Sequence, residues 1–197
     1  QAACSAFKEL GGECIAQVEI QSGQDMGVLI QRIAETRPDA LYYPLYTVDG
    51  VALTRGIFEA KLFQIALSSA DGLMSTDFIA QTLPASNGMY ISGPAVPNYD
   101  PAFLAKYKER YGESPVATYN APAYDATMIL LAAIEKVATE QNGALYIPRQ
   151  ALREAIAQTK DFKGISGVLT CSPYGDCGSP NVRIYQIRGQ EFVPIYP

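Results

Sequence analysis

The sequence predicts an α/β fold in which a parallel sheet is flanked by helices. Three observations carry this reading. Between residues 1 and 92, helical and strand-like patterns alternate four times with short connections, which is how βαβ units are written in sequence. The strand-like runs Ala40–Tyr46 and Phe63–Leu67 are mostly apolar, as suits strands covered on both faces. The 197 residues are 48% hydrophobic and only 18% charged, enough apolar content to bury a proper core.

The elements follow in order. Residues 1–10 read as a helix ended by Gly11-Gly12. Cys14–Ile20 alternates apolar and polar residues and is expected to be a strand. Asp25–Thr36 sets Met26, Leu29, Ile30 and Ile33 at helical spacing before Pro38 forbids continuation. Ala40–Tyr46 is a strand, with Tyr42 and Tyr43 expected to be buried between sheet and helices. Val48–Leu62 is a helix, Phe63–Leu67 a short strand and Ala70-Asp71-Gly72 a turn. Thr76–Leu83 is a helix capped by Ser75, and Gly88–Ser92 a strand. In this arrangement a helix such as 1–10 should itself follow a strand.

Pro94, Pro97 and Pro101 then interrupt the pattern, and residues 93–101 read as a crossover. Helices are expected over Pro101–Tyr111, stopped by Gly112, over Tyr119–Thr139, and over Arg149–Thr159. Val168–Thr170, Val182–Ile187 and Phe192–Tyr196 read as strands, the last two forming a hairpin across Arg188-Gly189-Gln190.

Composition also excludes functions. There is no histidine, which removes the Ser-His-Asp triad, the Cys-His dyad, His-ligated zinc and the commonest general base. The four cysteines form no CxxC pair, and no GxGxxG or GxxxxGK[ST] loop occurs. An enzyme is therefore not expected, nor a metal or other cofactor. A net charge of −5 argues against nucleic acid as a partner. The longest strictly apolar run, Met128–Ile134, is far short of a bilayer span, so no transmembrane segment is expected. The chain opens at Gln1 rather than Met, as expected of a processed chain or a piece of a longer one.

Parallel α/β sheets bind ligands at the carboxyl ends of their strands. Applied here, that rule brings Tyr46 and Thr47 to the same edge as Ser69 and Asp71. Asp71 offers a carboxylate suited to a ligand cation, and Tyr46 an amphipathic ring that can cover an aliphatic group. An Asp in Ala-Asp-Gly is also a common turn former, and an edge tyrosine or Tyr124 also serves as packing. The residues alone leave these alternatives open. Asp125 reads as a first-turn helix acid. Cys171 and Cys177 bracket turn-forming residues and are expected to form a disulfide; Cys4 and Cys14, one helix apart, are a second candidate pair. Disulfides imply an oxidising compartment.

Several segments together resemble a known family. Phe7-Lys8-Glu9-Leu10-Gly11-Gly12-Glu13, Arg37-Pro38-Asp39-Ala40-Leu41-Tyr42-Tyr43, Asp71-Gly72-Leu73, Gly88-Met89-Tyr90, Phe103-Leu104-Ala105-Lys106-Tyr107-Lys108, Ala123-Tyr124-Asp125-Ala126, Gly167-Val168-Leu169-Thr170 and Phe192-Val193-Pro194 occur in the family's order. They resemble the type I periplasmic substrate-binding proteins, in particular the group serving branched-chain amino acid ABC transporters. The resemblance implies a periplasmic-binding-protein-like type I fold, with one nearly complete lobe and part of a second. Residues 1–96 would form the second lobe, 97–180 the helical remainder of the first, and 181–197 a hairpin returning to the second. It also implies that Asp71 pairs with a ligand ammonium and that Tyr46 and Tyr124 line the pocket. The implied partners are an amino acid ligand of branched-chain type, or a similar small zwitterion, and the membrane subunits of an ABC permease. The implied location is periplasmic or extracellular, with a lipid anchor as one option for the full-length protein. The rival role on the same fold is a ligand-sensing receptor or an amide-responsive regulator.

Overall fold

The computed structural model describes residues 2–95, 99–115, 119–178 and 182–196. It divides into two compact units: Gln1–Ser92 with Tyr185–Val193, and Gly93–Ile184 with Pro194–Pro197. The boundaries expected at 96/97 and 180/181 lie outside the described residues.

In the first unit, helix α1 (Ala2–Glu9) buries none of its residues. Helix α2 (Gly27–Thr36) turns Ile33 into the core, and Arg37 ends it in the left-handed region ahead of Pro38. Strand β1 (Ala40–Tyr42) is followed by helix α3 (Thr47–Glu59), strand β2 (Ala66–Ser69), a single 3-10 turn (Asp71–Leu73), helix α4 (Thr76–Thr82) and strand β3 (Tyr90–Pro94). The Ser75 hydroxyl caps α4, accepting a bond from Phe78 N–H at 3.1 Å, as expected.

Strands β1 and β2 pair in parallel, Ala40 opposite Ala66 and Tyr42 opposite Ser68. Strands β2 and β3 also pair in parallel, Ser69 opposite Ile91. The sheet continues through β9 (Val182–Arg188) to β10 (Glu191–Tyr196), giving the order β1-β2-β3-β9-β10. Leu53 and Ile57 of α3, Phe78 and Ile79 of α4, Leu73, Ile91 and Ile187 form the core, with Met26 and Ile33 beside them. This is the mixed α/β architecture with a mostly parallel sheet that the alternation of patterns implies.

Four expectations change. The strand expected at Phe63–Leu67 is displaced to Ala66–Ser69, where it finds its ladder with Ala40–Tyr42. Cys14–Ile20 forms no strand: among the described residues nothing pairs with it, and alternation alone does not make a strand without a ladder partner. Strand β1 stops at Tyr42 because Pro44 has no N–H to give a ladder. Tyr43 is buried, but Tyr42 is 48% exposed: adjacent residues point to opposite faces, and β1 is a sheet edge.

In the second unit, helix α5 (Pro101–Tyr111) opens on the Asp100 side chain, which accepts from Ala102 N–H at 2.8 Å, and closes on Gly112 at φ +79°. Helix α6 (Asn120–Val137) is followed by the antiparallel hairpin of β4 (Thr139–Gln141) and β5 (Ala144–Tyr146), turned at Asn142-Gly143. After helix α7 (Arg149–Ala157), β6 (Phe162–Gly164), β7 (Gly167–Cys171) and β8 (Cys177–Gly178) make an antiparallel ribbon. Cys171 and Cys177 are cross-strand partners and are disulfide-bonded, with Cα atoms 3.9 Å apart. Cys4 and Cys14 are also bonded, Cα to Cα 5.7 Å, tying α1 to the segment after it.

Candidate functional site

Because β1 and β2 run in parallel and in register, the chain leaves both at the same edge of the first unit. The exit from β1 is narrow. Tyr43 N–H donates to the Ser68 carbonyl at 3.0 Å, and Leu45 N–H donates to the Tyr43 carbonyl at 2.8 Å. Tyr46 follows in extended backbone, φ −91° and ψ 167°, as the residue preceding α3, and its carbonyl accepts the Gly50 N–H at 2.9 Å. Its ring is 80% exposed. Thr47, half-buried, is the first helical residue.

The exit from β2 is the 3-10 turn. Leu73 N–H donates to the Ala70 carbonyl at 3.2 Å, and Met74 N–H to that of Asp71 at 2.9 Å. Leu73 is fully buried and anchors the turn, while Asp71 stays half-buried at its leading end. Gly72 lies so close to Leu45 and the Tyr46 ring that the two exits form one surface. A carboxylate-bearing residue and an exposed aromatic ring thus stand on one edge, a chemistry suited to a cation carrying an apolar group. Ser69 lies beneath them: it is buried, and its hydroxyl donates to the Tyr43 carbonyl at 2.8 Å.

Tyr124 belongs to the second unit. It stands in the first turns of α6, 46% exposed, with the edge of its ring against Phe103 at 5.6 Å between centroids. Phe103 stacks in turn on Tyr99 at 5.4 Å. Burial pushes the Tyr99 hydroxyl above its ordinary pKa, offset in part by its hydrogen bond to the Ala121 backbone.

Two buried carboxylates have structural work that their spacing did not reveal. Asp49, in the first turn of α3, accepts bonds from Ser22 Oγ at 3.0 Å and Gly23 N–H at 2.8 Å, holding the 21–24 turn on the helix. Asp125 accepts from Ile165 N–H at 2.8 Å and from both the N–H and the hydroxyl of Ser166 at 2.7 and 2.5 Å. The first-turn acid expected at 125 is therefore a clamp on the β6–β7 turn.

A cavity of about 320 Å³ opens at the opposite, amino edge of the first unit, between Ile57, Phe58, Phe63, Pro84, Asn87 and Met89. No charged side chain lines it, so it cannot pair with an ammonium group. Among the described residues no group of three or more Asp, Glu or Cys is arranged to hold a metal, and no helix is long and apolar enough to cross a membrane.

The family model for periplasmic binding proteins matches residues 1–191, and the chain belongs to that family. No curated protein matches the sequence. Solved structures do. A leucine-binding protein of Thermotoga maritima is 26% identical with a TM-score of 0.78, over 97% of this chain and 53% of its own. An ABC-transporter solute-binding protein of Rhodopseudomonas palustris, solved with benzoate, is 19% identical with a TM-score of 0.76, over 98% of this chain and 52% of its own. A branched-chain amino acid substrate-binding protein of Streptococcus pneumoniae, solved with isoleucine, is 19% identical with a TM-score of 0.74, over 98% of this chain and 55% of its own. The chain spans about half the length of these proteins. The last two likenesses speak for the fold alone. The fold is that of the type I periplasmic binding proteins, a class of solute-binding proteins that includes ABC-transporter components.

Proposed function

We propose that this chain is part of an extracytoplasmic solute-binding protein that captures an amino acid of branched-chain type, or a similar small zwitterion, for an ABC permease. The observation that carries the reading is that the Asp71–Leu73 turn closes, through Gly72, on Leu45 and the exposed Tyr46, so that Asp71 and Tyr46 stand on one edge of the first unit. The Asp71 carboxylate takes the solute ammonium, and the Tyr46 ring covers its apolar part. Tyr124 and Thr47 are further contacts to the solute, and Ser69 supports the exit of β1 from below. Residues 1–96 with the 181–197 segment act as one lobe and 97–180 as part of the other. No bond is made or broken; binding is read out as a shift in a conformational equilibrium. The two disulfides suit an oxidising compartment.

A sensor or amide-responsive regulator would use the same fold on a different solute. The choice is made by calorimetric titration of the full-length protein with amino acids, amides and benzoates. Preference for a zwitterion supports the transport reading of the site. Preference for a neutral amide, which has no cation for Asp71, supports the regulator, and preference for benzoate removes Asp71 from the ligand altogether.

A further inference from the structure

The Asp71–Leu73 turn meets the exit of β1 at a point where no side chain fits. A Cβ on Gly72 would lie 2.6 Å from the Leu45 carbonyl oxygen and 3.4 Å from Tyr46 Cδ1. The first distance is shorter than real carbon–oxygen contacts, and the obstacle is backbone, which cannot rotate aside. Gly72 does not occupy the left-handed region, so the demand at this position is for space and not for an unusual backbone angle.

Neither wall of the contact is free to withdraw. On one side, Leu45 N–H and Ser69 Oγ both bond the Tyr43 carbonyl, at 2.8 Å each, and Pro44 stiffens the link. On the other, the turn stands on the fully buried Leu73. We infer that Gly72 is a specificity-determining positioning residue: its missing side chain sets how near the Asp71 turn comes to the Tyr46 ring, and so the spacing between the carboxylate and the aromatic face. This rests on the reading that Asp71 and Tyr46 hold the solute.

Gly56 supplies the contrast. A Cβ there would meet the end of the Ile30 side chain on α2, away from the turn. Gly56→Ala therefore disturbs packing between α2 and α3 without pressing on Leu73 or driving the turn off Leu45.

The test has a ligand-free arm and a ligand arm. In the full-length protein labelled with 3-fluorotyrosine, the fluorine resonance assigned by Tyr46→Phe should move in Gly72→Ala and hold in Gly56→Ala. In titrations with alanine, valine, leucine and phenylalanine, Gly72→Ala should weaken the best binder by about tenfold and change the ratios among the four. Gly56→Ala should lower the melting temperature and leave the ratios alone. In a Tyr46→Ala background the effect of Gly72→Ala on the ratios should vanish, because its route through the ring is gone. A fluorine signal that ignores Gly72→Ala overturns the inference, and so does an equal loss across all four solutes. If Asp71→Asn and Tyr46→Ala leave binding intact while the fluorine signal responds to Gly72→Ala, the solute-site reading has failed instead, and the specificity role falls with it.

Discussion

The Asp125 carboxylate, buried in the second turn of α6, receives both the backbone N–H and the hydroxyl of Ser166, 41 residues away, and the N–H of Ile165 besides. One side chain thus satisfies three donors of the β6–β7 turn. Its neighbour across the contact is Gly164, where a Cβ would run into the carboxylate.

Replacing Asp125 by Ala leaves three half-buried donors without their acceptor. The expected cost is about 3 kcal/mol, since hydrogen bonds to a charged acceptor are worth more than neutral ones. Ser166→Ala removes only the hydroxyl bond and should cost about 1 to 2 kcal/mol. Urea titration of both variants checks the order; equal losses would mean that Asp125 acts through the hydroxyl alone.

Tyr43 gives the fold an alkaline limit. Its hydroxyl, buried and bonded to Thr54 Oγ1 at 2.9 Å, has its pKa pushed up from 10.0 to about 12 by burial. Between those values the unfolded chain has released the proton and the folded one has kept it. The stabilisation is therefore complete below pH 10 and is lost as pH rises toward 12, about 2 to 3 kcal/mol in all. Tyr43→Phe should cost about 1 to 2 kcal/mol at neutral pH, by stranding the Thr54 hydroxyl, and should flatten this alkaline slope. Melting curves between pH 8 and about pH 12 would show it.

Three helices of the first unit were legible from signals that act locally: Gly11 and Pro38 stop α1 and α2, and the Ser75 cap starts α4. Strand limits were not, because they depend on partners. Pro44 could have shortened β1 on sequence grounds, since proline cannot serve a ladder. The failure of Cys14–Ile20 could not have been foreseen from its alternation, which speaks of facing and not of pairing. The β4–β5 hairpin carried a readable signal, Asn142-Gly143, but its strands of three residues are too short to show alternation. At the candidate site, parallel register alone brought Asp71 and Tyr46 to one edge. The roles of Asp49 and Asp125 were illegible because their donors sit 26 to 41 residues away in sequence.

The Cys171–Cys177 bond closes a very short loop, so its chain-entropy contribution is only roughly 2 to 3 kcal/mol. Mass spectrometry of a non-reduced digest should find 171 joined to 177 and 4 joined to 14. Mild reduction should lower the melting temperature by several degrees, about 2 to 4 °C per kcal/mol at this chain size. Free thiols at 171 and 177 would remove the main argument for an oxidising compartment.

For the proposed solute site, Asp71→Asn keeps the shape and removes the charge. Leaving a bound ammonium poorly paired should cost about 2 to 5 kcal/mol, or roughly 30- to several-thousand-fold in affinity. Tyr46→Phe should cost much less, because the ring face remains. Calorimetric titration of the full-length protein measures both. Unchanged leucine-class binding in Asp71→Asn would rule out the zwitterion reading even with the family assignment intact.

The last expectation concerns α6 in this chain taken alone. Its inner face buries Ala121, Asp125, Ile129 and Ala133. Yet Tyr124, Met128, Leu130 and Leu131 are each between 38% and 48% exposed on the same helix. An apolar cleft of about 440 Å³ adjoins them, lined by Pro122, Ala126, Leu130, Ile156 and Leu169. A helix apolar on both faces is normally covered on both, and an uncovered apolar patch promotes association. The isolated chain should therefore self-associate or unfold with low cooperativity. Sedimentation velocity across a concentration series reads the first, and calorimetry the second. Leu131→Lys should shift the chain toward monomer without lowering its melting temperature, since that residue contributes little to the buried face. A strictly monomeric chain with one sharp transition would show that this face is soluble as it stands and needs nothing to cover it.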